Sequence, residues 1–218
     1  MLRVADKIMT RILEKTELRL GEKLFLKGDR CLGPKCAAVR RAYPPGVHGK
    51  KRGRGGRGGP SEFAALMREK QKVLFFYGID NGAVQRYVEK ASRKEGLFSD
   101  IFLRMMESRL DTVVWRAGLA PSRRSARQAV VHGRMLVNGK SVRSPGYETR
   151  IGDIVSPKAR TGENGLYADT AERLAHHTPP KWITLDRERH TGTVSAAPEP
   201  DQIGVTFNIT KMREFYSR

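Results

Sequence analysis

The residues of this chain best suited to a defined chemistry are its arginines and lysines. Between Thr112 and Tyr147 there are seven of them and no Asp or Glu. Guanidinium and ammonium groups packed so densely without acids pair with phosphates, whereas a face that only confers solubility mixes both signs. Arg116, Arg123, Arg124, Arg127 and Lys140 of this stretch, with Arg109 just before it, are the phosphate-binding candidates. A second acid-free run, Arg30 to Ser61, carries nine basic residues. With the helix that follows, it supplies Arg40, Arg41, Tyr43, His48, Lys50, Lys51, Arg52, Arg54, Arg68 and Lys72 as further candidates, His48 having the alternative role of bracing its turn.

Other chemistries find less support. Cys31 and Cys36 have a metal-like spacing, but a structural zinc needs four ligands, and the chain has only these two cysteines with His48 the nearest histidine. The pair is a half-site at most, and no zinc or other cofactor is expected. His176 and His177 are adjacent, so they cannot face one metal from a helix, and a solvated loop pair is the better reading. No Walker loop, HExxH or GxSxG is present, and nothing pairs a nucleophile with a base. The chain is not expected to be an enzyme.

Several elements must hold these cations. Leu103, Met106, Leu110, Val113, Val114 and Ala117 recur at steps of three and four, one face of a helix that Gly118 ends. Pro121-Ser122 starts a second helix with Ser122 as N-cap. There Ala126, Ala129 and Val130 share one side and Arg123, Arg124, Arg127 and Gln128 the other. Asn138-Gly139 between two short apolar runs predicts a tight hairpin, and Ile154-Val155 a further strand. Upstream, Met1 to Leu20 is a candidate helix, and Gly53 to Gly59 an Arg/Gly tract expected to be disordered in the free protein. Ser61 caps a helix towards Tyr77, with Phe63, Leu66, Val73, Leu74 and Tyr77 inward and Lys70 interrupting them. A second helix is expected over about Ala83 to Lys94, and a third from near Phe98, continuous with the helix through Leu110. Downstream, Asp169 to Ala175 reads as a short helix, and Trp182 to Leu185 and Val205 to Ile209 as short strands.

The fold class that follows is α+β: a helical N-terminal domain plus a small two-helix, antiparallel-sheet module, with extended basic loops. Residues 1–60 form a basic, partly extended lobe. Residues 61–107 are its helical part, with the tail 180–218 docking on it through Phe215 and Tyr216. Residues 108–155 are the module, and 156–179 an irregular connection. A net charge of +19 over 218 residues predicts nucleic acid as partner, with salt-dependent affinity. No apolar run reaches the length of a spanning helix, no signal-like N-terminus is evident and two cysteines do not build a secreted scaffold, so a cytosolic protein with no membrane partner is expected.

The run SRLDTVVWRAGLAPSRRSARQAVVHGRMLVNGK resembles the small RNA-binding module first defined in the small-subunit ribosomal protein S-four, which also occurs in some pseudouridine synthases, a tyrosyl-tRNA synthetase and a ribosome-associated heat-shock protein. Its flanks narrow the resemblance to the bacterial ribosomal family. Leu24-Phe25-Leu26-Lys27-Gly28, Cys31-Leu32-Gly33-Pro34-Lys35-Cys36, Tyr43 to Gly49, Arg68 to Lys72 with Tyr77-Gly78, Trp182-Ile183 with Leu185-Asp186, and the terminal Phe215 to Arg218 all fit it. Many members carry a further cysteine pair that completes a zinc site. Here Glu14 and Glu17 fall near those positions.

The resemblance implies a structural constituent of the small ribosomal subunit: a primary rRNA binder on a multi-helix junction of the 5′ domain that nucleates assembly and supports translational accuracy. It implies contact with ribosomal protein S-five and with mRNA at the entry channel, where Lys50, Lys51 and Arg52 would act on mRNA structure. A junction is recognised by shape, phosphates and 2′-hydroxyls, which suits two basic surfaces on a rigid frame. The competing reading is a non-ribosomal assembly or stress factor using the same module.

Overall fold

A computed structural model describes residues 13–46, 49, 61–158 and 170–217. The candidate residues His48, Lys50, Lys51, Arg52 and Arg54, the Arg/Gly tract and the start of the expected N-terminal helix lie outside them. Two compact units divide the chain. One runs to Glu89 and takes the chain up again from Thr206; the other is Lys90–Val205.

The first unit begins with α1 (Leu13–Leu20), a 3-10 turn (Gly28–Cys31) and the single-turn helix α2 (Ala37–Arg40). Its longest element is α3 (Glu62–Tyr77), capped by the Ser61 hydroxyl accepting from Ala64 N at 3.3 Å. Leu20, Leu24 and Leu26 pack with Leu13, Phe75 and Phe76. The C-terminal helix, Ile209–Ser217, lies along α3. Phe215 meets Phe63 at 5.7 Å between ring centroids, and the Lys70 ammonium, which breaks the apolar side of α3, sits 4.2 Å over the Phe215 ring. The Tyr216 hydroxyl donates to Asn81 Oδ1 at 2.8 Å, and burial pushes that phenol up to about 12. The strand expected over Val205 to Ile209 does not form: Asn208 N donates to Glu69 Oε2 at 2.7 Å and its own Oδ1 accepts from Lys211 N, so the segment is a loop that leads into the helix from Ile209.

The boundary between the units falls within α4 (Asn81–Ser92), whose first turn is held by Asp80 Oδ1 accepting from Ala83 N at 2.7 Å. The second unit continues with α5 (Phe98–Glu107), α6 (Leu110–Arg116) and α7 (Arg123–Val131). The expected continuous helix through Leu110 is broken at Arg109, whose backbone is extended (φ −67°, ψ 139°). The cause is long-range pairing: Leu110 N donates to Tyr147 O and Thr149 N to Ser108 O, both at 2.8 Å. Two backbone bonds to residues some forty positions away outcompete a helix that the apolar periodicity alone would carry through.

Then follow β1 (Met135–Val137), β2 (Lys140–Ser141), β3 (Ile154–Pro157), α8 (Thr170–His176), β4 (Ile183–Asp186), β5 (Thr191–Val194) and α9 (Pro200–Ile203). Asn138 (φ 50°) and Gly139 (φ 78°) make the two-residue turn between β1 and β2 with both residues at positive φ. The sheet order is β2-β1-β3-β5-β4, all antiparallel, with Val137 opposite Val155 and Val155 opposite Gly192. The sheet that begins in the module therefore does not stop at Val155. Residues 183–194 extend its sheet, and within the tail 180–218 it is the C-terminal helix that packs on α3. Hydrogen bonding explains this, because without β4 and β5 the free edge of β3 would leave a row of unpaired backbone groups. One core gathers Leu110, Val113 and Val114 from α6, Ala126, Ala129 and Val130 from α7, Met135, Val137 and Val155 from the strands, and Trp182, Ile183 and Val194 from the extension. Gly192 is required there, since a Cβ would lie 2.8 Å from Ala117 Cβ.

Candidate nucleic-acid interface

Ser122 caps α7 by accepting from Ser125 N at 3.2 Å, which turns Ala126, Ala129 and Val130 into the core. The arginines of α7 then divide. Arg124 is exposed, while Arg123 and Arg127 lean towards α6 and are partly buried. There they meet two buried acids from just outside the acid-free run. Glu107, fully buried, accepts from Arg116 Nε at 2.8 Å and from Arg123 Nη2 at 3.3 Å. Asp111 accepts from Arg109 through both oxygens, at 3.0 and 2.7 Å, and from Arg127 Nη1 at 3.1 Å. The Trp115 ring completes the layer, with the Arg123 guanidinium 4.1 Å and the Arg116 guanidinium 4.9 Å from its centroid. Arg116 also donates to Ile203 O at 2.9 Å.

Four of the six candidate cations of the module, Arg109, Arg116, Arg123 and Arg127, thus have carboxylate partners within the unit. Arg109 is 4% exposed and enclosed by Asp111, so its guanidinium is structural. Arg116, Arg123 and Arg127 have their carboxylate partners inside the unit. The acid-free window hid this, because Glu107 and Asp111 precede it in sequence and face it in space. Arg124 on α7 and Lys140 on β2 remain exposed. Sequence reasoning passed over Arg134, Arg143, Arg150 and Lys158, which are also exposed, on the loops that flank the strands. Their signal was present in the charge count, but only the fold sets their loops beside the strands.

In the first unit Arg40 and Arg41 are exposed at the end of α2, and Tyr43 and Arg68 are half-buried. Lys72 is buried between Glu22 and Glu69, the latter 2.8 Å away. Burial opposes its charge, but hydrogen bonds and charges from the two carboxylates hold its pKa above the ordinary lysine value. It braces the unit and is not presented to a phosphate.

Cys31 and Cys36 are buried and reduced. Burial raises the Cys31 thiol pKa, and its Sγ accepts from Lys27 N at 3.4 Å. Glu17, near a position where many members have a zinc-binding cysteine, spends one carboxylate oxygen on two backbone amides, Leu24 N and Leu26 N, each at 3.0 Å. Among the described residues no three His, Cys, Asp or Glu side chains are grouped to hold a metal. Two cysteines beside a carboxylate engaged with backbone are an incomplete ligand set for a structural zinc among the described residues. His177 is not the solvated loop residue expected: its Nε2–H donates to Arg116 O at 2.8 Å, and it stands where a Gly118 Cβ would be, 2.6 Å from the ring.

A small two-helix, antiparallel-sheet module with buried acids behind its arginines and exposed cations on its surface has the make-up of a nucleic-acid-binding protein. The known protein families agree. The S4 domain matches residues 108–155, and the Ribosomal protein S4/S9 N-terminal domain matches residues 11–107. Small ribosomal subunit protein uS4 of Syntrophomonas wolfei is 45% identical over 200 residues, 92% of this chain and 94% of the relative. The proteins of the same name from Halothermothrix orenii and Thermus thermophilus are 42% identical over the same shares. The chain belongs to the uS4 family of small ribosomal subunit proteins. No helix among the described residues is long and apolar enough to cross a membrane.

Proposed function

We propose that this chain is a structural constituent of the small ribosomal subunit and a primary binder of its rRNA. It holds a multi-helix junction of the 5′ domain, nucleates assembly there, and resides on the ribosome in the cytoplasm. The observation that carries the reading is the near full-length likeness to uS4 proteins across both the RNA-binding module and the N-terminal region. The module's exposed cations, Arg124 and Lys140 with Arg143, Arg150 and Lys158, would lie on phosphates, and Arg40 and Arg41 would do so from the first unit. The acids Glu107 and Asp111 support the reading physically. They hold Arg116, Arg123 and Arg127 in fixed positions, so that a preformed RNA shape meets a rigid surface. Contact with ribosomal protein S-five, a place at the mRNA entry channel and action of Lys50, Lys51 and Arg52 on mRNA belong to the same reading, as does the absence of zinc.

Footprinting on naked small-subunit rRNA tests it. Added alone, the chain should protect one multi-helix junction of the 5′ domain, and protection that required other ribosomal proteins would contradict primary binding. Quantitative mass spectrometry of purified subunits should find one copy per particle after a high-salt wash.

A further inference from the structure

Phe25 stands out in the first unit. Its neighbours Leu24 and Leu26 are buried, 3% and 9% exposed, yet Phe25 itself is 48% exposed. It also adopts φ +54°, a region that bulky side chains avoid and that Asn and Gly accept. The cause is visible in the hydrogen bonds. One buried oxygen of Glu17 accepts from the amides on either side of it, Leu24 N and Leu26 N, while Phe25 O accepts from Gly28 N at 3.0 Å. The backbone is thus pinned before, at and after the ring, and the ring is held out in solvent. The Lys23 ammonium lies 4.9 Å from its centroid. A site concerned only with packing would place a small or polar residue here and relax the turn.

We infer that Phe25 is a stacking platform for an unpaired nucleobase of the rRNA, with Lys23 reaching the phosphate of the same nucleotide. Aromatic rings are the usual seats for bases splayed out of RNA loops and junctions. The occupant is assigned to nucleic acid because the cation beside the ring matches a phosphate and the chain carries +19 overall. This rests on the rRNA reading above and adds to it a contact that charge counting cannot find. The ring has no formal charge, so its contribution leaves the salt dependence untouched.

The test uses the full chain, naked 5′-domain rRNA, and the variants Phe25→Asn and Phe25→Tyr. Phe25→Asn relieves the backbone while removing the ring. It should bind about tenfold more weakly, with an unchanged salt slope and a melting temperature equal to or above that of the parent. Phe25→Tyr should bind within about twofold of the parent. Parent-like affinity of Phe25→Asn, failure of Phe25→Tyr to bind, or a fall in melting temperature that accompanies the lost affinity would each overturn the assignment. A defect that appears only on assembled subunits and not on naked RNA would give the ring to a protein neighbour, and overturns it too. A parent chain that does not prefer this RNA would instead remove the rRNA reading itself.

Discussion

The two units use their buried acids in opposite ways. In the first, Glu17 serves the backbone, and a single oxygen gathers Leu24 N and Leu26 N to shape a turn. In the second, Glu107 and Asp111 serve side chains, gathering Arg116 and Arg123 on one and Arg109 and Arg127 on the other. In a chain with 42 basic and 23 acidic residues, an acid placed beside an arginine gives up a phosphate contact and gains a fixed geometry. The comparison teaches that the density of arginines along a sequence overstates the cationic surface, and that the difference goes into rigidity.

Three experiments sharpen or break this contrast. The largest effect is expected from Glu107→Gln, which leaves the partly buried guanidiniums of Arg116 and Arg123 without their counter-charge. The second unit should lose about 3–5 kcal/mol. Urea unfolding followed by tryptophan fluorescence reads this unit selectively, since both tryptophans, Trp115 and Trp182, lie in it. A loss of under about 1 kcal/mol would make the pairing incidental.

Glu17→Ala comes next. It strands two buried amides at roughly 1–3 kcal/mol each, and hydrogen exchange at Leu24 and Leu26 should accelerate while exchange in the sheet of the second unit does not. Acidity provides a check on sign. Burial raises the Glu17 pKa above its ordinary value, against the amide bonds from Leu26 and Leu24, with Glu14 adding to the rise and Lys23 opposing it. A raised folded pKa means that the folded state holds the proton more tightly. The first unit should therefore gain stability as pH falls through that raised value towards 4.5. Glu22 works in the opposite direction. Burial opposes its charge, but hydrogen bonds from Lys72 and Thr206 and the Lys72 charge hold its pKa below 4.5. Its contribution is present above 4.5 and lost as pH falls through the lowered value. Glu17→Gln should abolish the first effect and leave the second.

The smallest stability effect, within about 0.5 kcal/mol, is expected from Arg124→Ala with Lys140→Ala, both exposed. Their signature is in binding: the slope of log affinity against log salt should flatten by about one unit per residue. If Arg123→Ala with Arg127→Ala flattened the slope equally without destabilising the second unit, the division between held and presented arginines would fail.

Much of this protein is legible in its order of residues. Local signals act over a few positions, and so Ser61 and Ser122 mark their caps, Asn138-Gly139 its hairpin, and the apolar periods of α3 and α7 their buried faces, except at Phe63, which is half exposed. The basic runs and the flanking motifs are equally local, and they carry the family and the kind of partner. What the tertiary structure alone decided depends on pairs far apart in sequence. Backbone bonds from Leu110 N to Tyr147 O and from Thr149 N to Ser108 O interrupt a helix that periodicity would continue, and β4 and β5 complete a sheet whose edge cannot be seen from β3. Above all, the free charge of an arginine is a property of its neighbours in space. Glu107 and Asp111 lie outside the acid-free run along the chain and behind its arginines in the fold, which is why a count of charges could name the partner but not the contacts.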